Sequence, residues 1–400
     1  MKKDIKRVII AGTNSGCGKT TVTCALLKAL KNRGLDIGAF KCGPDYIDPM
    51  FHRKVIGLQS FNLDSYFYDD NTLKYLLSEN GKDRDINIIE GVMGFYDGLG
   101  INSVEGSTYD VSEKLSSPVV LVLNGKGASL SILATLQGFL TLYRNNIKGV
   151  IINSCTESTY RILASEIEKR FSVKALGFLP RISECSLESR HLGLVTADEV
   201  KDLDTKLKKL ADTISETVDL QALLSIAEGA EALEYDEIDI PVMEKVRIGV
   251  PKDNAFSFYY QDNLNLLSRM GSELIYFSPL TDNHLPEDLD GLYIGGGYPE
   301  LYKDTLSKNE TLLKEIKEAI LSGLPIIAEC GGFMYLSSSI EGHSMAGVFP
   351  AGSFNTGKLG RFGYIKMTAK VDSMIADSGD VSLGHEFHYY DTDDSGDGFL

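Results

Sequence analysis

Short apolar runs without polar alternation recur through the first half of the chain, at 7–11, 36–41, 86–90, 118–124, 148–153 and 175–179. Continuous Val and Ile runs of this length predict parallel strands buried on both faces. Between the first two, residues 19–33 carry Val22, Leu26, Ala29 and Leu30 at helical spacing, with Gly34 as a stop. Strand, helix and strand within so short a stretch make a βαβ unit, and its repetition predicts an open parallel sheet. A more polar helical stretch follows, with Leu203, Leu207, Leu210 and Ile214 on one face. Residues 229–241 are acidic and without period, which reads as a linker. A second α/β unit starts with a strand at 246–250 and adds strands at 290–294 and 324–329. Asn309 and Gly323 bracket a helix bearing Leu312, Ile316 and Ile320. The last stretch, 391–400, is acidic and shows no closing element. The pattern therefore predicts an α/β protein: a parallel-sheet domain at 1–228, a linker at 229–245 and a second α/β domain at 246–400.

Composition changes this picture little. Hydrophobic residues make up 43% and charged residues 24% of the 400 positions, which excludes a disordered chain. The net charge of −16, with no basic stretch to offset it, argues against nucleic acid as a partner. An anionic small substrate would then need local cations. The six cysteines form no Cys-x-x-Cys pair, so reduced thiols in the cytoplasm are expected rather than a zinc site or disulfide framework. Neither the N-terminus nor 130–143 is apolar enough for a signal peptide or a membrane span. Glycine, at 39 residues, exceeds the typical ~7% and gathers in loops after apolar runs.

The first of these loops is Gly12-Thr13-Asn14-Ser15-Gly16-Cys17-Gly18-Lys19-Thr20-Thr21. A glycine-rich loop from a strand into a helix presents backbone N–H groups and the positive helix end to phosphates. Lys19 would reach the terminal phosphates of a nucleotide and the Thr20 hydroxyl would ligate Mg²⁺. Five residues, not four, separate Gly12 from Gly18, and Thr13 stands where the first glycine belongs. Glu90 closes the strand 86–90 and is expected to complete the Mg²⁺ site. It opens Glu90-Gly91-Val92-Met93-Gly94-Phe95-Tyr96-Asp97-Gly98, where Asp97 is a second candidate. The strand at 36–41 runs into Lys41-Cys42-Gly43-Pro44-Asp45-Tyr46-Ile47-Asp48-Pro49, at the carboxyl edge where open α/β sheets bind ligands. Lys41 suits a phosphoryl group or substrate carboxylate, and Asp45 and Asp48 suit metal or substrate. The Asp48-Pro49 pair is also explained by turn chemistry alone.

A second centre is expected in the second half. Pro325-Ile326-Ile327-Ala328-Glu329-Cys330-Gly331-Gly332 runs from a buried strand into a helix, a turn that presents a nucleophile to a cleft. A lone cysteine is more often structural. The earlier loop Gly295-Gly296-Gly297, also directly after a strand, tips the balance, because the N–H groups of Gly296 and Gly297 could form an oxyanion hole.

These stretches, together with 62–64, 190–194, 255–260, 328–336 and 384–389, resemble in order the cobyrinate a,c-diamide synthase family, glutamine-dependent amidotransferases of corrinoid biosynthesis. The displaced glycine is also found in dethiobiotin synthetase, a relative of the first domain. The resemblance implies a P-loop synthetase domain followed by a class I glutamine amidotransferase-like domain. It implies that the c, then the a, carboxylate of cobyrinate attacks the γ-phosphate of ATP–Mg²⁺, and that ammonia displaces phosphate from the acyl phosphate. Ammonia would come from glutamine through a thioester on Cys330. Arg190 would pair with a substrate carboxylate, and a homodimer is compatible with the family. Nickel-sirohydrochlorin a,c-diamide synthase and cobyric acid synthase are alternatives within this chemistry. A P-loop partitioning ATPase fused to an inactive glutaminase-like module is an alternative of another class.

One departure follows from the resemblance. Glutaminases of this type pair the cysteine with a histidine, which in the family lies beyond 384–389, and the sequence ends at Leu400. His385 and His388 are the nearby histidines, on opposite faces of one expected strand, with Glu386 sharing the face of His388. An ordinary cysteine of pKa ~8.5 is only about 3% thiolate at pH 7. The expectation is that this form uses free ammonia better than glutamine.

Overall fold

The computed structural model describes residues 1–182, 185 and 202–399. They divide into two units, Met1–Ile238 and Asp239–Leu400.

In the first unit, strands β1 (Lys2–Lys3), β2 (Arg7–Gly12), β3 (Ile37–Cys42), β4 (Ser60–Leu63), β5 (Ile86–Glu90), β6 (Val119–Asn124), β7 (Ile147–Asn153), β8 (Lys174–Leu179) and β9 (Leu233–Glu234) occur in chain order. Seven form one sheet, ordered β4-β3-β5-β2-β6-β7-β8, with every neighbouring pair parallel. The apolar runs are buried on both faces as their composition demands: Val8, Ile10, Ile88 and Val120 pack into one layer of core, and Ile9, Ile89, Leu121 and Leu123 into the other. The helix Lys19–Asn32 and the helix Leu203–Thr217 cover the first face, the latter burying Leu203, Leu207, Leu210 and Ile214 as its spacing predicts. Strand β4 was not expected from sequence. It is a four-residue edge strand with two polar positions, too short for a periodic signal.

Within the stretch read as a linker, Leu233 and Tyr235 are buried, and β9 pairs antiparallel with β1. The unit therefore closes on its own beginning. A fully buried guanidinium secures the same place: Arg7 donates to the carbonyls of Ile5, Leu115, Ser116 and Glu231 and to the Ser117 hydroxyl. Burial pushes its pKa down to about 10, with Glu231 opposing, yet it stays charged at neutral pH.

The second unit holds a parallel sheet of β10 (Arg247–Pro251), β11 (Glu273–Phe277), β12 (Gly291–Ile294) and β13 (Ile326–Ala328), ordered β11-β10-β12-β13. The edge strand β11 is a second element absent from the expectation. Strands β14 (Ser339–Ile340), β15 (His343–Ser344), β16 (Gly352–Asn355), β17 (Arg361–Thr368), β18 (Val381–His388) and β19 (Tyr390–Thr392) follow. Of these, β17 and β18 form an antiparallel ribbon, and β19 pairs with β16. The C-terminal acidic stretch thus contributes a strand residue pair and, through Phe399, a bridge to Ala369, where the pattern predicted no element. Among the described residues no helix is long and apolar enough to cross a membrane.

A candidate phosphate-binding centre and a candidate thiol centre

Strand β2 delivers the glycine-rich loop to the carboxyl edge of the sheet, and the helix Lys19–Asn32 begins directly after Gly18. Gly18 sits at φ 97°, and a Cβ there would lie 2.0 Å from the Asn153 amide nitrogen, so only glycine fits. That amide donates to the Cys17 carbonyl at 2.9 Å, tying the loop to the end of β7. Asn14, Ser15 and Gly16 lie exposed along the loop, Cys17 is buried, and Thr21 stands half-buried in the first helical turn. Thr13, in the place expected of a glycine, donates its hydroxyl to the Asn14 side chain at 2.9 Å.

The predicted acids converge on this loop. The Thr20 hydroxyl donates to Glu90 Oε1 at 2.5 Å and lies 3.5 Å from both Asp48 carboxylate oxygens. The Lys41 amine meets Asp48, lies 3.4 Å from Glu90 and 3.7 Å from Asp45, and donates to the Gly91 carbonyl at 3.0 Å. Glu90 is fully buried and Lys41 nearly so. Burial by itself would lower the Lys41 pKa, but Asp48, Glu90 and Asp45 outweigh it and hold the ammonium charged. Burial would likewise raise Glu90, but Lys41, His52 and Thr20 together carry it well below the usual carboxylate range. Desolvation and the like charges of Asp45 and Glu90 raise Asp48, against Lys41. Lys19 is also buried, which lowers its pKa, and its amine reaches the carbonyls of Asn14 and Met93.

Two predicted residues have local structural duties. Asp45 accepts from the backbone N–H groups of Ile47 and Asp48, starting the helix Ile47–Ile56. Asp97, exposed, accepts from the Gly94 N–H and closes the loop that bonds back to β2 through Phe95 N–H and the Gly12 carbonyl. Arg190 lies outside the described residues.

Sequence reasoning missed His52. Its Nε2 is 2.7 Å from Glu90 Oε2 and its Nδ1 is 3.1 Å from the Ser60 hydroxyl, with the ring fully buried. One signal was available: His52 lies four residues after Asp48, on the same helix face. Among the described residues no three His, Cys, Asp or Glu side chains converge as a metal-binding group. The oxygen donors of Thr20 and Glu90, with Asp48 beside them, instead suit a hard cation that takes its other ligands from phosphates and water.

In the second unit, the Gly295–Gly297 loop and Cys330 follow adjacent parallel strands, β12 and β13, with Ile294 opposite Ala328. The Glu329 N–H donates to the Ile294 carbonyl at 2.9 Å and locks the two loops together. Cys330 adopts φ 50°, ψ −111°, strained for a non-glycine residue, immediately before the helix Gly331–Leu336. It is exposed, whereas the other five cysteines are buried. The N–H groups of Gly297 and Gly331 point at its thiol. Gly297 is confined to glycine, since a Cβ there would sit 2.0 Å from the Ala255 carbonyl oxygen. Gly296 packs against the Cys330 Cβ, and its carbonyl accepts from Ser257 and Phe258. The structure thus puts Gly297 at the thiol and adds Gly331, which the sequence reading lacked.

Protein crowding around the sulfur pushes the Cys330 thiol up to about 11; Glu300 and Glu329 add to this, and the two N–H groups oppose it. Glu300 is itself raised to about 7 by burial. His388 directs Nδ1 to the Tyr390 carbonyl of β19 at 2.5 Å and Nε2 toward Glu386 of β18 at 3.7 Å, so both nitrogens face neighbouring strand residues. His385, on the other face, packs edge-on against Phe362 and Tyr364.

Residues 8–195 match the model of the CobQ/CobB/MinD/ParA nucleotide binding domain, and residues 247–397 match that of the CobB/CobQ-like glutamine amidotransferase domain. The cobyrinate a,c-diamide synthase of Limosilactobacillus reuteri is 44% identical over 392 residues, covering 96% of this chain and 86% of that protein. Those of Clostridium acetobutylicum and Listeria monocytogenes are 43% and 42% identical, each covering 96% of this chain and 87% of the relative. Among solved structures, the signal recognition particle receptor FtsY of Elizabethkingia anophelis aligns over 44% of this chain and 57% of its own, at 16% identity and a TM-score of 0.34, too remote to support any inference. A phosphate loop with its acids, a strained cysteine under two N–H groups, and relatives matched along nearly the whole length lead to one conclusion: the chain belongs to the cobyrinate a,c-diamide synthase family.

Proposed function

We propose that the protein is an ATP-dependent amide ligase that converts the a and c carboxylates of cobyrinate to carboxamides, with glutamine as nitrogen donor. The observation that carries this reading is the presence in one chain of two built centres, one for a terminal phosphate and one for an acyl thioester. A carboxylate does not exchange oxygen for ammonia unaided, because oxide is a poor leaving group. Attack of a carboxylate oxygen on the γ-phosphorus of ATP releases ADP and leaves an acyl phosphate. Ammonia then adds to the acyl carbon and phosphate departs.

Lys19 is placed to hold the terminal phosphates, and the loop N–H groups to hold the rest, so the first step is chiefly positioning and charge neutralisation. Thr20 and Glu90, with Asp48, would hold Mg²⁺, which would supply charge neutralisation for the phosphates. Lys41 borders the same edge and would orient the reacting carboxylate, with Arg190 as a second candidate cation, while Asp45, Asp48 and Asp97 would shape the loops and the metal site around it. In the second unit Cys330 attacks the glutamine carboxamide, the N–H groups of Gly297 and Gly331 stabilise the developing oxyanion, and ammonia leaves. Water hydrolyses the thioester to glutamate.

Cobyrinate and nickel-sirohydrochlorin, each offered with ATP–Mg²⁺ and either ammonia or glutamine, test the reading by product mass. Two successive losses of about one mass unit on cobyrinate are expected. No mass change with either macrocycle would overturn the ligase claim, and conversion of nickel-sirohydrochlorin alone would reassign the substrate.

His52 gives a second expectation. Its bond to Glu90 Oε2 leaves Oε1 turned to Thr20, and partners of this kind commonly govern metal affinity by about 10–100-fold. His52→Ala should raise the Mg²⁺ concentration needed for tight nucleotide binding within that range, measured with a fluorescent ATP analogue. An unchanged Mg²⁺ requirement in a folded variant would show that Glu90 needs no such support.

A further inference from the structure

Strand β2, which feeds the phosphate loop, has β5 on one side and β6 on the other. The β5 side is ionic, with Lys41, Asp48 and Glu90 in contact. On the β6 side lies a cavity of about 230 Å³ with a different chemistry. Thr13 and Asn14 of the loop, Asn124 at the end of β6, and Ser131 and Thr135 of the helix Ser131–Thr141 give it hydroxyls and amides; the rest of the wall is aliphatic, and no ionisable side chain lines it. Asn14 belongs to both places, because its carbonyl lies 3.4 Å from the Lys19 amine that marks the terminal-phosphate end of the loop.

We infer that this cavity is the subsite for an uncharged carboxamide arm of the macrocycle, and that it selects the monoamide for the second amidation. The inference rests on the ligase reading above and adds to it the means by which one site processes two carboxylates. A carboxylate entering this open-sided cavity, whose Asn14, Asn124, Ser131 and Thr135 are exposed, would lose part of its hydration and gain no cation, which is unfavourable. A carboxamide offers two donors and an acceptor, which the Ser131 and Thr135 hydroxyls and the Asn124 amide N–H groups can match, so its entry costs little. The volume is several times the ~30 Å³ share of a water molecule, enough for a two-carbon acetamide arm. The starting macrocycle has no amide at the a or c position. After one turnover it does, and the cavity then favours the orientation that brings the remaining carboxylate to the phosphate.

Thr135→Leu fills the cavity from an exposed helical position, where leucine is an excellent helix former. Asn124→Leu removes an amide without adding a turn of bulk and provides an independent variant. Time courses from cobyrinate with ATP–Mg²⁺ and ammonia, with substrate, monoamide and diamide resolved by mass, read the two steps separately. The second step should slow at least about tenfold more than the first, so that monoamide accumulates, with no loss of affinity for a fluorescent ATP analogue. Equal slowing of both steps, or no slowing, overturns the inference, and weakened nucleotide binding would make the cavity part of the nucleotide site instead. If the wild-type chain makes diamide normally and the variants behave like it, only this inference fails. If the wild-type chain makes no amide at all, the ligase reading fails and takes the inference with it.

Discussion

Lys19→Ala is expected to lose amide formation from glutamine and from free ammonia alike, by on the order of 10³-fold or more. Both nitrogen sources meet the same acyl phosphate, so a defect before that intermediate cannot be bypassed by ammonia. Lys19 is buried at the loop and, among the described residues, has only the backbone carbonyls of Asn14 and Met93 as close hydrogen-bond acceptors, an arrangement that suits an incoming anion better than a structural ion pair. Alanine leaves those two carbonyls without a donor, a cost of about 1–3 kcal/mol each at most. A thermal melt that stays cooperative would separate lost chemistry from lost fold. Retained ammonia-dependent synthesis in a folded Lys19→Ala protein would remove the phosphate loop from the reaction.

Cys330→Ala should behave in the opposite way. Glutamine-dependent synthesis disappears, whereas synthesis from saturating ammonia persists at a comparable rate, because the phosphate centre is untouched. The same residue can be addressed in the unmodified protein: with five cysteines buried and Cys330 exposed, a small alkylating agent should label that thiol first. The direction of its pKa, up to about 11, fixes the pH dependence. The thiolate fraction, and with it the labelling rate, should rise steadily from pH 7 toward pH 10, without the plateau near neutrality that a low-pKa cysteine shows. Glutamine-dependent activity that survives Cys330→Ala would place the amidotransferase chemistry elsewhere.

Much of this architecture was legible in the sequence because the elements that carry it are buried on both faces. Ile86–Glu90 reads as a strand from composition alone, and the acid at its end falls where such sheets gather ligands. Strands β4 and β11 escaped because edge strands need not be apolar throughout; Asn62 in β4 is spent on the carbonyls of Gly43 and Asp45. The acidic stretch around Leu233 and Tyr235 resembled a linker because its strand partner, Lys2–Lys3, lies more than two hundred residues away. At the sites, loops that follow strands could be recognised by their glycines. Partners set by tertiary structure could not: nothing local marks Asn153 as the clamp on Cys17, or the Gly331 N–H as a donor to the thiol. His52 stands between these cases, since its spacing from Asp48 is visible while its bond to Glu90 is not.

The pairing of β1 with β9, beside the Arg7 guanidinium that reaches Glu231, joins the first and last segments of the nucleotide-binding unit. A fold fastened in this way does not fray at two independent ends. Release of Lys2–Lys3 frees Leu233–Glu234, and release of the latter strips Arg7 of one of its acceptors, so both margins of the unit share one local unfolding step. Because Arg7 is also the first residue of β2, that step reaches the strand that carries the phosphate loop, at the end opposite the loop.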